Sequence, residues 1–287
     1  LPWVRVHEIP WVDPGFLPEE YAGPASADAE ATLARYRQAV ELLRPLPTGM
    51  DRTVAGDLDR PLTPAETAWL EENREVVTAV LEASRRSDCD FFNVPNPFDL
   101  SRQITSLAKL LFLSGRQLES QNNLDAALER YLSTLRVAGH LRRRACSPGN
   151  ADAVELWVQE YLPYWAARPG QTPDRVLAAA RHADGVLAAT PPRSDWIKSH
   201  YVLARAYLDG DPNAMAHFIP DQRDRLFAQA TIRCLFWERT RTLRVLNLWT
   251  ADAMEVCHRA ESDAAAGQKV ALDAECRAVG AWWRRVT

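Results

Sequence analysis

The residues best suited to chemistry lie in the last third of the sequence. Glu255 and His258 are three positions apart, the spacing of the carboxylate and imidazole ligands in di-iron helical bundles. Such a site needs a second pair of this kind and two further inward-facing glutamates. No other histidine of the chain has a glutamate three positions before it. The spacing therefore favours a polar helix face over a metal site.

Zinc binding is the second candidate in this region. Its potential ligands are Cys257, His258 and Cys276. A structural zinc site needs a fourth ligand, and the eighteen residues between the two cysteines match no known zinc motif. The five cysteines are widely and irregularly spaced, which predicts buried thiols, with a Cys257–Cys276 disulfide as the alternative in an oxidising compartment. We expect no bound metal and no cofactor.

His200 offers a third candidate, because Tyr201 and Asp195 lie near it in the sequence and the three could form an acid–base group. Nothing else reactive converges on them, so a hydrogen-bonded core histidine is favoured. The sequence contains no glycine-rich phosphate loop and no GxSxG, HExxH or CxxC motif. We therefore predict that the protein is not an enzyme. The alternative is a helical metal- or cofactor-binding enzyme that uses the histidine, glutamate and cysteine groups of the last third.

Arginines 142–144, with Arg136 upstream, form a local basic patch. They lie at the end of a predicted helix, where cations interact favourably with the last carbonyl groups. This structural role is favoured over phosphate or nucleic-acid binding, and Arg284 and Arg285 are interpreted in the same way. The formal net charge of −4 also argues against a nucleic-acid partner.

Residues 99–144 are predicted to form two helices that organise the middle of the chain. In both helices apolar residues recur at intervals of three and four, typical of one buried face. The members of the two stripes are Ile104, Leu107, Leu110, Leu111 and Leu118, and then Leu124, Leu128, Tyr131, Leu135 and Ala138. Asp99 is the predicted N-cap of the first helix and Asn123 that of the second. The short polar break between them predicts antiparallel neighbours with facing stripes.

This hairpin resembles one unit of a tetratricopeptide repeat. Its large, small and aromatic positions match Leu111, Gly115, Leu118, Ala127 and Tyr131. In such a unit the small residues lie where the helices cross closely, and the aromatic ring fills the space beside them. The resemblance implies a repeat-like α-solenoid, with an irregular helical bundle as the alternative, because no second copy of the repeat is evident.

A second resemblance covers residues 27–144. A helix begins at Thr63, which is followed by Pro64 and by Glu66 in a capping-box pattern, and is predicted to continue to about Arg86. The DCDF sequence at 88–91 and the leucine-rich hairpin follow. This order is similar to that of an uncharacterised family of helical proteins from planctomycete-type bacteria. The resemblance implies an N-terminal membrane anchor and a bacterial cell-envelope location, and it implies no activity.

The remaining sequence also predicts helices, among them those starting at Asn150 and Thr172, and no segment alternates as a strand would. We predict an all-α fold in which residues 1–25 form an extended proline- and aromatic-rich arm. Residues 26–287 are predicted to form one domain, with a soft boundary near 147–150. No apolar run is long enough to span a membrane, so membrane attachment would require an N-terminal anchor absent from this chain.

Ten tryptophans are more than a chain of this size requires. Those on predicted apolar helix faces are expected in the core, namely Trp69, Trp157, Trp165, Trp237 and Trp249. Those near the chain ends are predicted partner contacts, namely Trp3, Trp11, Trp282 and Trp283. The expected function is a non-enzymatic scaffold, adaptor or accessory subunit that binds other proteins in a larger assembly. A self-assembling envelope structural protein is the further alternative.

Overall fold

A computed structural model of the protein describes residues 9–21, 25–46, 60–91, 97–142, 148–192, 194–211, 214 and 236–265. These residues form α-helices and the turns that connect them, and they include no β-strand. The prediction of an all-α fold is confirmed. Among the described helices, none combines the length and apolar character needed to cross a bilayer.

The helices are numbered here in chain order. They are α1 Pro18–Tyr21, α2 Ala27–Leu42, α3 Pro64–Glu72, α4 Arg74–Ser84, α5 Pro97–Ser120, α6 Leu124–Arg142, α7 Pro148–Ala166, α8 Pro173–Ala188, α9 Ser194–Leu208 and α10 Phe236–Ala265. They divide into two compact units, one containing α2 to α8 and the other containing α1, α9 and α10. The predicted domain limits remain a prediction.

Helix α6 is the centre of its unit, because α4, α5, α7 and α8 all pack on it. Of the predicted apolar stripe on this helix, Leu124, Tyr131, Leu135 and Ala138 are buried and Leu128 is partly buried, but the burial is not limited to that stripe. From Tyr131 to Arg142 every residue except Arg136 is buried. A helix buried on all sides is normally apolar, but α6 also buries hydroxyl, imidazole and guanidinium groups.

Specific partners allow the polar side chains of α6 to be buried. The Thr134 hydroxyl donates to the Arg130 carbonyl oxygen at 2.9 Å, within its own helix. Arg142 extends to α7, where it donates to Asp152 at 2.7 Å and to Glu155 at 2.5 Å. Periodicity counts these residues as polar and assigns them to solvent, whereas in the structure they bind partners inside the protein.

The predicted single helix from Thr63 to about Arg86 is interrupted at Asn73, which separates α3 from α4. Asn73 leaves helical geometry, with φ −106° and ψ 18°. Its buried side chain donates to the Trp69 carbonyl at 2.8 Å and accepts from the Arg44 backbone N–H at 2.9 Å. Asparagine competes with helical hydrogen bonds in this way. The predicted capping box between Thr63 and Glu66 is confirmed.

Two helices start three residues earlier than predicted. The predicted N-caps Asp99 and Asn150 place the first helical residues at 100 and 151, whereas α5 begins at Pro97 and α7 begins at Pro148. The physical reason is the same in both cases. Proline fits the first helical position, where its missing N–H would have no helical partner. The predicted start at Thr172 is confirmed, since its hydroxyl accepts from the Arg175 backbone N–H.

The turn between α5 and α6 closes through a left-handed residue. Asn122 has φ +61°, the position that glycine usually occupies after a helix. Its N–H donates to the Glu119 carbonyl and that of Asn123 to the Leu118 carbonyl, both at 2.9 Å. Asn123 then caps α6 by accepting from the Ala126 N–H at 3.3 Å. The polar break therefore forms the predicted N-cap at Asn123.

Helices α5 and α6 approach each other closely at Gly115. A Cβ atom added there would lie 2.6 Å from Cε1 of Tyr131, far inside van der Waals contact. The small residue and the aromatic ring thus meet as the hairpin pattern predicts. Whether the hairpin belongs to the tetratricopeptide family remains a prediction.

In the second unit, residues 9–17 lie along α9 and α10. Arg244 and Asn247 of α10 donate to the Ile9 and Val12 carbonyl oxygens at 2.9 and 3.0 Å. The Phe16 ring packs edge-on against Tyr201 of α9, with 5.4 Å between ring centroids. Side chains that bind backbone carbonyls hold a proline-rich segment without requiring N–H groups from its prolines.

Gly115→Ala is expected to destabilise the protein by about 1–3 kcal/mol, because the new methyl group must displace Tyr131. Alanine ordinarily stabilises a helix by about 0.5–1 kcal/mol relative to glycine. The sign of the change in unfolding free energy therefore shows whether the added methyl group collides with Tyr131. Gly185 in α8 is the control, since a Cβ there would meet no atom within 4 Å. Urea unfolding should show Gly185→Ala stabilised and Gly115→Ala destabilised. A stabilised Gly115→Ala variant would contradict the close crossing.

Asn122→Val is expected to lower the free energy of unfolding by about 1–2 kcal/mol, because a β-branched residue is strained at positive φ. Asn122→Gly should equal or exceed the wild type, since glycine adopts this conformation without strain. Thermal unfolding of the two variants at the same position provides the measurement. Equal melting temperatures for both would show that Asn122 is not left-handed in the folded protein.

Candidate functional site

The Glu255, Cys257 and His258 group does not converge on one point. Cys257 is buried in a cluster with Ile197, Ala253 and Met254, whereas Glu255 and His258 are exposed. Glu255 and His258 lie on the exposed side of α10, whereas Cys257 lies on its buried side. The described residues contain no group of three histidine, cysteine or carboxylate side chains able to hold a metal ion. Cys276 lies outside the described residues.

His200, Tyr201 and Asp195 also serve separate contacts. The His200 ring packs on Trp196, with 4.7 Å between centroids. The Tyr201 hydroxyl donates to Asn247 Oδ1 at 2.8 Å, and the Asp195 carboxylate lies 3.6 Å from Lys198 Nζ. Tyr201 thus joins α9 to α10, whereas these contacts of His200 and Asp195 lie within α9.

The arginines of the basic patch on α6 also bind separate partners. Arg136 pairs with Glu129 at 3.2 Å, and Arg142 pairs with two carboxylates of α7 as described above. Arg143 and Arg144 lie outside the described residues, as do Arg284 and Arg285. Of the predicted partner contacts only Trp11 is described, and it is 61% exposed. Trp3, Trp282 and Trp283 lie outside the described part of the chain.

The structure assembles a polar cleft that the sequence analysis did not predict. Its walls come from the segment before α3, the last turn of α5, Tyr161 of α7 and the residue Arg168 that follows α7. Three arginines line it, namely Arg60, Arg116 and Arg168. The cleft has a volume of about 550 Å³, within the size range of small-molecule sites. We call it the Arg116 cleft.

Glu119 is the buried acceptor at the base of this cleft. Tyr131 donates to Oε2 at 2.8 Å, while Tyr161 donates to Oε1 at 3.3 Å and Arg168 Nε donates to the same oxygen. Burial, followed by the neighbouring Tyr161 and Glu119, raises the pKa of Tyr131 far above its usual value. The hydrogen bond to Glu119 raises the pKa of Arg168. Both donors therefore stay protonated, and the carboxylate holds α5, α6 and α7 together.

Arg60 is fixed at the cleft by Glu66 of α3. Its two terminal nitrogens donate to the two carboxylate oxygens at 2.8 and 2.5 Å, and the Thr63 N–H donates to Glu66 at 2.7 Å. Burial alone would raise the pKa of Glu66, but these hydrogen bonds outweigh it and hold the pKa at about 2. The capping carboxylate is therefore ionised at any physiological pH.

Arg116 differs from the other two arginines of the cleft. The residue is only 5% exposed, and one terminal nitrogen donates to the Arg60 carbonyl oxygen. Its guanidinium lies over the Tyr161 ring, 5.5 Å from the centroid. The buried Nε has no hydrogen-bond partner, and no carboxylate among the described residues forms a salt bridge with Arg116.

A second buried polar group surrounds His140 of α6. Its Nε2 lies 3.0 Å from the Arg86 carbonyl, which can only accept, so this nitrogen carries the proton. Nδ1 then accepts from the Tyr36 hydroxyl at 2.8 Å. The buried imidazole joins α2, the end of α4 and α6, and its neutral form satisfies both contacts.

Helix α7 presents an unpacked outer face. Exposed residues recur at intervals of three and four along it, namely Leu156, Gln159, Glu160, Pro163 and Tyr164. Leu156 is 50% exposed and Tyr164 is 44% exposed. Tyr164 stacks on the buried Tyr161, with 5.9 Å between centroids and 28° between ring planes. We call this surface the α7 outer face.

Only part of this arrangement can be predicted from the sequence. The exposed face of α7 follows from its period, although the sequence analysis did not single it out. Arg116 and Glu119 have no such signal, because they are polar residues within a helix whose period places them among solvent-facing positions.

No protein-family model matches the sequence, and the comparisons with curated proteins and with solved structures find no match.

Glu66→Gln is expected to remove a contribution of about 3 kcal/mol that the wild type holds near neutral pH, estimated from the pKa difference between 4.5 unfolded and about 2 folded. The folded pKa is lowered, so this stability is complete above pH 4.5 and is lost as the pH falls toward 2. The stability gap between wild type and Glu66→Gln should therefore narrow across that window in urea titrations. Glu72→Gln, an exposed change on the same helix, should track the wild type. Parallel curves for Glu66→Gln would contradict the prediction.

Proposed function

We propose that the protein is a non-enzymatic helical scaffold or adaptor that binds other proteins through the outer face of α7. The observation that carries this proposal is the combination of Leu156 and Tyr164 on one exposed helix face. Large apolar and aromatic side chains held at a protein surface are typical of interaction sites.

Tyr164 is suited to be an anchor because it is already ordered. Its ring stacks on Tyr161, and Tyr161 in turn donates to the buried Glu119. An aromatic side chain that is fixed before binding loses little conformational entropy when a partner covers it. The polar network of the core therefore supports a contact at the surface.

Because of Pro163, the same face also has a backbone hydrogen-bond acceptor. It has no N–H, so the Gln159 carbonyl lacks the helical donor it would otherwise have. This acceptor lies between Leu156 and Tyr164 along the helix. The partner that fits is a helix with an apolar stripe and a hydrogen-bond donor beside it.

Trp11 of the other unit offers a second exposed aromatic contact on a segment held by Arg244 and Asn247. We propose that such contacts place the chain in a larger assembly, with the bacterial cell envelope as its location. The second resemblance, over residues 27–144, supports that location, and the tetratricopeptide-like hairpin supports the scaffold role.

The test is quantitative cross-linking and co-purification from native membranes with the doubly substituted Leu156→Glu, Tyr164→Ala variant. We expect at least a tenfold loss of specific partners relative to wild type, with the melting temperature nearly unchanged because both positions are exposed. The matched control is Leu177→Glu on α8, which is also 50% exposed and should retain the partners.

Identical partner sets for wild type and the double variant would contradict the role of the α7 outer face. Recovery of the chain as a monomer without partners would contradict the scaffold proposal itself. A discrete homo-oligomer that the double variant dissociates would identify the partner as a second copy of this chain.

A further inference from the structure

Arg116 is an internal cation without a counter-ion in the described structure. A guanidinium has five N–H donors. Within the described part of the chain, the Arg116 guanidinium donates one hydrogen bond, to the Arg60 carbonyl, and its buried Nε has no partner. Leaving a buried charge uncompensated is among the most costly arrangements in a protein, which makes such a group informative.

The charged residues around the cleft show that Arg116 lacks a carboxylate partner among the described residues. Arg60 is matched by Glu66, and Arg168 is matched by Glu119. Arg116 is the third arginine and has no carboxylate of its own among the described residues. Three positive and two negative charges leave the cleft with one unmatched positive charge.

Contacts with neighbouring side chains also hold the three arginines of the cleft in position for a ligand. Glu66 and Glu119 fix Arg60 and Arg168, while the Arg116 guanidinium lies over the Tyr161 ring. Neutral hydrogen-bonding side chains complete the lining, namely Thr67, Gln117, Ser120 and Gln121. A planar guanidinium that lies over an aromatic ring is suited to bidentate recognition of a carboxylate or a phosphate.

We infer that the Arg116 cleft binds a small molecule through an oxyanion group, either a carboxylate or a phosphate. The anion accepts from Arg116 and neutralises the unmatched charge, and the neutral side chains of the lining bind the polar remainder of the molecule. This site is separate from the α7 outer face, and the inference does not rest on the scaffold function.

The experiment uses the full chain and measures thermal stability and direct binding by calorimetry with two probes, inorganic phosphate and acetate. Each is compared with chloride at the same ionic strength and pH. We expect one or both probes to raise the melting temperature above the chloride value and to bind with a measurable heat. A stronger effect of phosphate identifies a phosphorylated ligand, and a stronger effect of acetate identifies a carboxylate.

Arg116→Met should weaken anion binding at least tenfold while the ligand-free protein keeps or gains stability, because a buried unmatched charge is removed. Arg102→Met is the matched control on the same helix, since the Arg102 side chain is 80% exposed, and it should bind as the wild type does. If Arg116→Met fails to fold, Arg116→Lys decides the question. It keeps the charge without the planar fork and should bind at least fivefold more weakly.

Wild-type behaviour that is the same in phosphate, acetate and chloride would overturn the inference. Equal anion responses of wild type and the Arg116 variants would also overturn it, since binding would then occur elsewhere.

Discussion

The structure of the larger unit depends on the burial of α6 from all sides. Four helices pack on it, and from Tyr131 onward it buries nearly every residue that it carries. Its apolar residues supply the hydrophobic contact, but the helix also brings a tyrosine, a histidine and an arginine into the interior. Each of these needs a partner from another helix, and those partners determine which helices can surround α6.

The contacts of Tyr131 connect the buried helix α6 with residues at the protein surface. Tyr131 can lie against α5 only because Gly115 has no side chain, and its hydroxyl then donates to Glu119. The same carboxylate accepts from Tyr161 and Arg168, which bring α7 and the residues after it into place. Tyr161 finally supports both Tyr164 on the α7 outer face and the guanidinium of Arg116 in the cleft. One buried carboxylate thus supports both proposed binding surfaces.

Arginines that pair with a carboxylate and Arg116, for which the described residues provide none, need different explanations for their burial. In the pairs Arg60–Glu66 and Arg142–Glu155 one member is buried and the other is partly buried, and each pair joins neighbouring elements. Pairing therefore explains why these charges can be buried. Arg116 is also buried, but no carboxylate of the described residues pairs with it. A structural purpose alone does not require an arginine there, because an apolar residue of similar volume would avoid the cost of desolvation. Arg60 and Arg142 therefore have a structural explanation that Arg116 lacks.

The sequence by itself determined the helical class and several helix limits, since these depend on neighbours along the chain. The capping box at Thr63, the start at Thr172 and the cap at Asn123 all involve hydrogen bonds within three residues. The helix break at Asn73 and the complete burial of α6 were decided only by the tertiary structure. Arg44 is 29 positions from Asn73, and Tyr36 is 104 positions from His140. The Arg116 cleft has the same origin, because its walls are separated by more than a hundred residues between Arg60 and Arg168. Local periodicity records whether a residue is polar, whereas only the folded chain decides whether that polar group meets water, a partner or neither.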